Sequence, residues 1–242
     1  MLLRAMGAIL TAWAMLALVS APAAADRFRI ELSDQDTEPR YDGRVILILT
    51  PDGSKEPRFQ VKQAYDAPQI FGITVDGWRA GTAVEIGPGV LGFPAEDMNA
   101  VPAGDYYVQV VLHKYRTYNL ANGKTVKLPA ARGAGQNWRL EPGNVISAPR
   151  KVSFDPAGDR AIPVRLDKVL PPIAEPQDTE FVRHFKIRSE RLSAFWGTDV
   201  YIRGHVLVPK GFDDHPEARY PLAIFHGHFP ANFGGFRTTP PD

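Results

Sequence analysis

The chain has 242 residues, enough for one large or two modest domains, with 28 basic against 27 acidic side chains and 44% apolar residues. That composition predicts a globular body, and the even charge excludes a nucleic-acid surface, which needs a basic patch. Cysteine is absent, so no disulfide is available and cohesion must come from core burial, which this length permits.

Met1–Arg4 is a short basic stretch, and Ala5–Val19 is an apolar run too short to span a bilayer. Ala23-Ala24-Ala25 then supplies a small-residue cleavage site before Asp26. Residues 1–25 therefore read as a secretory signal peptide cut after Ala25; the competing reading is an uncleaved anchor. Removing them takes away Arg4 and no acid, which leaves the two charge signs balanced. No Asn-x-Ser/Thr site occurs. Export without disulfides or such sites predicts a bacterial periplasmic or secreted protein, with no membrane span after cleavage.

Residues 26–168 read as strand, turn, strand. Phe28, Ile30 and Leu32 alternate with Arg27, Arg29 and Glu31, the period of a half-buried strand. Arg44–Thr50 is apolar on both faces and predicts a central strand buried on both sides. Pro51-Asp52-Gly53-Ser54 is turn chemistry. Gln69–Val75, closed by Asp76-Gly77, and Thr82–Ile86, closed by Gly87-Pro88-Gly89, are further strands. After Pro102-Ala103-Gly104-Asp105, a strand places Tyr106, Val108, Val110 and Leu112 on one face and Tyr107, Gln109, Val111 and His113 on the other. Asn122-Gly123 predicts a hairpin between 115–120 and 124–128. With no helical period, this region predicts a β-sandwich of the immunoglobulin-like kind.

The loop Gly133–Asn144 carries Gln136 and Trp138, which either form a ligand-facing lip or simply pin the loop. His113 and Tyr118 invite the same choice between ligand and packing. Residues 169–178 hold three prolines and predict a linker. Beyond it, Phe181–Ser189 and Val200–Val208 are predicted strands separated by a turn region, Ser193–Asp199, and Pro221–Phe225 is a predicted third strand ending at His226-Gly227-His228.

The order of these last elements resembles the entry into an α/β-hydrolase domain. The phrases that carry it are Leu207-Val208-Pro209-Lys210-Gly211-Phe212 and Tyr220-Pro221-Leu222-Ala223-Ile224-Phe225-His226-Gly227. Thr179–Asp242 resembles secreted esterases of the enterochelin esterase and esterase D group, which often carry an N-terminal β-sandwich. The expected fold class is thus mainly β: a sandwich (26–168), a linker (169–178) and the first strands of an incomplete α/β-hydrolase domain (179–242).

Acyl transfer passes through a tetrahedral oxyanion, and each backbone N–H preorganised toward it is worth about 3–4 kcal/mol of barrier. The resemblance implies that one donor comes from the loop after the third strand. The candidate oxyanion-hole positions are Gly227, His228 and Phe229, with the His228 N–H foremost and His226 orienting the loop; the competing reading is a tight apolar turn. The family's G-x-S-x-G elbow is not found around Ser33, Ser54, Ser147, Ser153, Ser189 or Ser193. The chain therefore reads as truncated and inactive alone, its nucleophile, acid and base expected beyond Asp242 and its last part expected to expose strand edges.

The resemblance implies a small ester or peptide-like substrate for the full-length relative and no cofactor. Two alternatives stay open. His226-x-His228 could hold zinc in a metal-dependent hydrolase, with His205 or His215 nearby, although no acid follows in the turn. The β region could instead be a non-catalytic binding module using Tyr107, Tyr115, Tyr118 and Trp138.

Overall fold

The computed structural model describes residues 25–33, 40–130 and 137–225. Strand dominates. In chain order the strands are β1 (Arg27–Leu32), β2 (Tyr41–Thr50), β3 (Gln69–Trp78), β4 (Ala83–Ile86), β5 (Gly92–Phe93), β6 (Gly104–Asn119) and β7 (Thr125–Pro129). Then come β8 (Val145–Ile146), β9 (Arg150–Phe154), β10 (Ala161–Leu166), β11 (Lys168–Val169), β12 (Val182–Arg188), a helix α1 (Glu190–Trp196) and β13 (Tyr201–Leu207).

The strands form three sheets. One has the order β10-β1-β4, with β1 parallel to β10 and antiparallel to β4. A larger antiparallel sheet runs β11-β8-β6-β2-β3-β5, with β7 and β9 also paired to β6. The third is the hairpin β12-β13.

Alternation along the strands builds the core. Phe28, Ile30 and Leu32 of β1 join Ile86 of β4 and Ile162, Val164 and Leu166 of β10. They meet Val45, Leu47 and Leu49 of β2, Phe71 of β3, and Val108, Val110 and Leu112 of β6. Fully burying such a side chain stabilises by about 1.5–3 kcal/mol. The opposite face of the larger sheet carries Ile46, Ile48, Val111 and Ile146, covered by Leu170, Val61 and Trp138. β2 pairs with β3 along one edge and β6 along the other, and with Val45, Leu47 and Leu49 in one cluster and Ile46 and Ile48 in the other, the expectation of a strand buried on both faces is met.

Buried polar groups on that second face are tied together. The Gln109 side chain donates to Glu56 (2.9 Å) and to the Ser147 carbonyl (3.2 Å), and accepts from the Arg58 N–H (3.2 Å). Arg58 Nε donates to Glu56 (2.8 Å). Burial pushes the Glu56 carboxyl up, but the bonds from Gln109 and Arg58 outweigh it and hold it below the usual carboxylate range.

The structure corrects several expected boundaries. β3 does not stop at Asp76-Gly77 but runs on to Trp78, because the Asp42 carboxylate accepts the Gly77 N–H (2.7 Å) across an irregularity in the β2–β3 register. β6 is one strand of 16 residues that passes through Lys114 into the hairpin with β7, where Gly123 takes φ +80°. Strands β8 to β11 lie in a stretch where no strand was predicted, although β10 shows clean alternation. Its Pro163 is tolerated because β10 is an edge strand.

The turn expected over Ser193–Asp199 is largely helix α1. Ser189 caps it by accepting the Leu192 N–H (3.3 Å), Glu190 sits in the first turn, and Gly197 ends it at φ +66°. Residues 221–225 form no strand. A strand needs a neighbour to receive its N–H and C=O groups, and among the described residues none pairs with this segment, so it runs exposed, with Leu222 78%, Ile224 82% and Phe225 87% accessible.

Candidate functional site

The sequence places the site at the end of the apolar run Leu222–Phe225. His226, Gly227, His228 and Phe229 lie outside the described residues, as does Gln136. What the structure does describe is the platform that leads to them, the β12–β13 hairpin with its flanking segments.

The hairpin register is set by seven opposed pairs, from Val182↔Leu207 to Arg188↔Tyr201. Alternation divides them between two faces. One carries Phe185, Ile187, Ile202 and Val206, all exposed. Phe185 lies over Gly204, where a Cβ would come within 2.5 Å of the ring. The other face carries His184, Lys186, Arg188, Arg203 and His205 beside Val182, Tyr201 and Leu207, and His184, Lys186 and Arg203 reach acids of the proline-rich segment. There His184 and His205 stand opposite each other, ring centroids 4.8 Å apart at 78°.

Asp178 fixes one of these rings. Its Oδ1 accepts the His184 backbone N–H (2.8 Å) and lies 3.0 Å from His184 Nδ1. The His184 side chain, then its backbone N–H, lowers the Asp178 carboxyl below its usual range. Beside it, Glu175 receives Lys186 Nζ (3.0 Å) and Arg203 Nη1 (3.2 Å), and the Lys186 bond holds its carboxyl low. Arg203 and Glu175 also border a hollow of about 480 Å³ floored by Val169, Leu170, Pro172 and Ile173. The floor is apolar, and the two charges at the rim serve each other.

Chemically, a carboxylate-held imidazole is two parts of a proton-relay arrangement; the third part is a nucleophile. The serines closest in sequence are committed elsewhere. Ser189 caps α1, and the Ser193 hydroxyl accepts the Val200 N–H (3.0 Å). Further off, Ser147 accepts the Val110 N–H (2.9 Å) inside the sheet, and Ser54 donates to Asp52 (2.8 Å). These hydroxyls hold turns, strands and a cap. No group of three or more His, Cys, Asp or Glu able to hold a metal occurs among the described residues. His215 lies 3.7 Å from Glu217 on the exposed connection to residue 220.

The aromatic candidates of the β region are half-buried and engaged in packing. Tyr118 meets Trp196 of α1 edge-on at 5.5 Å, which with the Ala121 N–H to Phe195 carbonyl bond (2.8 Å) docks α1 on the β6–β7 hairpin. Trp138 packs against the second core face, and its carbonyl accepts from Asn144 Nδ2 (2.8 Å). His113 packs edge-on against Tyr115 at 5.6 Å.

The Asp178–His184–His205 cluster is absent from the sequence reading, although its signal was present. Opposed strands 182–188 and 201–207 put alternate residues of each on one face, and alternation along Val200–Val208 places His205 on the face with Arg203. What the sequence leaves open is the register that sets His184 against it.

Neither a protein-family model, nor a curated protein, nor a solved structure matches the chain. Among the described residues no helix is long and apolar enough to cross a membrane.

Proposed function

We propose that the chain carries the accessory module and the opening strands of an exported serine hydrolase that cleaves an ester or peptide-like bond. Residues 1–25 are the leader, cut after Ala25, and delivery is to the bacterial periplasm or the medium. Residues 26–168 are the immunoglobulin-like β-sandwich. Residues 179–242 open the α/β-hydrolase domain and supply the oxyanion loop, with Gly227, His228 and Phe229 as donor positions and His226 as the orienting ring.

One observation supports this reading above the others: the antiparallel hairpin β12–β13 is followed by the unpaired apolar run Leu222–Phe225, which leads directly into His226-Gly227. A hairpin with a bare apolar face needs a further layer to cover it, as the edge of a larger sheet does. The role of the loop follows from its chemistry. Glycine lets the backbone approach a carbonyl without a Cβ clash, and backbone N–H groups then stabilise the charge that develops on oxygen. On this reading the nucleophile is not one of the serines engaged above.

The test is the coding DNA after the Asp242 codon. An open frame that encodes a G-x-S-x-G phrase, followed by an acid and a histidine, is the expected result. A frame that continues without that phrase overturns the serine-hydrolase reading.

A further inference from the structure

We propose that the Ala25–Asp26 peptide bond is a processing site open only in the unfolded chain, so that removal of the leader must precede folding of the β body. This rests on the leader assignment made above; the order of the two events is the new claim.

The residues on the carboxyl side of the bond are locked from the first one onward. Asp26 is fully buried and Ala25 is 3% exposed. The Asp26 N–H donates to the Asp155 carbonyl (3.1 Å). Its carboxylate accepts the Asp155 N–H (2.9 Å), the Arg160 N–H (3.0 Å) and Arg160 Nε (3.1 Å). Gly158 closes the pocket from behind, where a Cβ would stand 2.3 Å from Asp26 Oδ1. The next residue, Arg27, donates its N–H to the Arg160 carbonyl (2.9 Å) and begins β1, the middle strand of its sheet.

A peptidase that reads extended substrate needs the backbone groups on both sides of the bond for itself. Here those following the bond are spent on β4, on β10 and on the 155–160 turn. Drawing them out would strip Phe28 and Ile30, both 0% exposed, from the core. That is an opening of the whole body rather than a local fraying. A precursor that folds first is thereby trapped uncut.

The chemistry of the cut suits the same pocket. Water adds across the Ala25 carbonyl carbon and the Asp26 nitrogen. The carboxylate leaves on Ala25 with the leader, and the amine, protonated, stays on Asp26. There it keeps the Asp155 carbonyl as its acceptor, beside its own carboxylate.

The experiment compares three substrates of a bacterial leader peptidase in detergent: the folded uncut chain, the same chain diluted from denaturant directly into the enzyme, and a peptide of residues 16–35. Mass spectrometry reads the position of the cut. The expected result is cleavage after Ala25 in the peptide and the diluted chain, and cleavage roughly 100-fold slower in the folded chain, because only its rare open form is a substrate. The folded Gly158→Ala chain, with its latch disturbed, should be cut faster than the folded parent. Arg160→Ala serves the same purpose should Gly158→Ala fail to fold. Equal rates for folded chain and peptide overturn the proposed order while leaving the leader in place. Failure to cut the peptide after Ala25 overturns the leader assignment and the proposal with it.

Discussion

His113 sits on β6 with its Nε2 buried and without a hydrogen-bond partner among the described residues. Burial pushes the imidazole pKa down from its ordinary value of about 6.5, since a charged ring there would lose its water. The folded state therefore binds this proton less readily than the unfolded state. The associated stability is present above the unfolded pKa and is lost as pH falls below it toward the depressed folded value. Denaturant melts at pH 7.5 and pH 5.5 should show the parent losing more stability than His113→Phe, and an equal loss in the two would contradict this. Asp26 is the second residue with a large stake. Asp26→Ala leaves the part-buried N–H groups of Asp155 and Arg160 without their acceptor, but the Arg160 side chain is half exposed and recovers water. The expected cost is about 2–3 kcal/mol, read by urea denaturation at pH 7. Neither role was legible in the sequence. Asp26 finds its donors about 130 positions away, and His113 was separable from a ligand only once Tyr115 was seen against it.

At the scale of elements, period two was the dependable signal: β1 and β6 present the faces that alternation assigned to them, and β2, read as apolar on both faces, is buried on both. α1 was missed because seven residues offer too little periodicity; its evidence lies at its ends, in Ser189, Glu190 and Gly197. Ser189→Ala should cost about 1 kcal/mol of local stability, visible as faster amide exchange in Leu192–Trp196 and little change elsewhere. The hairpin beside it is amphipathic with its apolar side open. Such an open face predicts self-association, which Ile202→Lys, on that side, should reduce in sedimentation velocity while leaving the melting of the β body within about 0.5 kcal/mol, as an exposed substitution does. Loss of the β-body transition would show that Ile202 is part of the core. Leu222–Phe225 marks where local reading ends. Its residues have every local property of a buried strand, and pairing, which decides the matter, is not local.

At the scale of the molecule, the β body and the C-terminal segments differ in how they are held. β2 lies between β3 and β6 with both faces covered, whereas among the described residues β12 and β13 pair only with each other. Amide exchange should therefore be slowest in Val45–Leu49 and Val108–Leu112 and close to unprotected in Leu222–Phe225. Strong protection of the last segment would contradict the exposure described for it. The mainly β character and the two-sided central strand could be read from the chain alone. The parallel pairing of β1 with β10 could not, because it joins segments more than 120 residues apart and leaves no local trace. The candidate site is known from the sequence alone, as the phrase His226-Gly227-His228, which lies outside the described residues, and the serines are set aside there by their lack of an elbow. The central claim is that this chain contributes the module and the oxyanion loop but not the nucleophile. The direct measurement is turnover of a short-chain acyl ester by purified residues 26–242, with intact-mass analysis after a fluorophosphonate probe. The account predicts background hydrolysis and no adduct on Ser33, Ser54, Ser147, Ser153, Ser189 or Ser193; turnover that the probe abolishes, with an adduct on one of those serines, would contradict it.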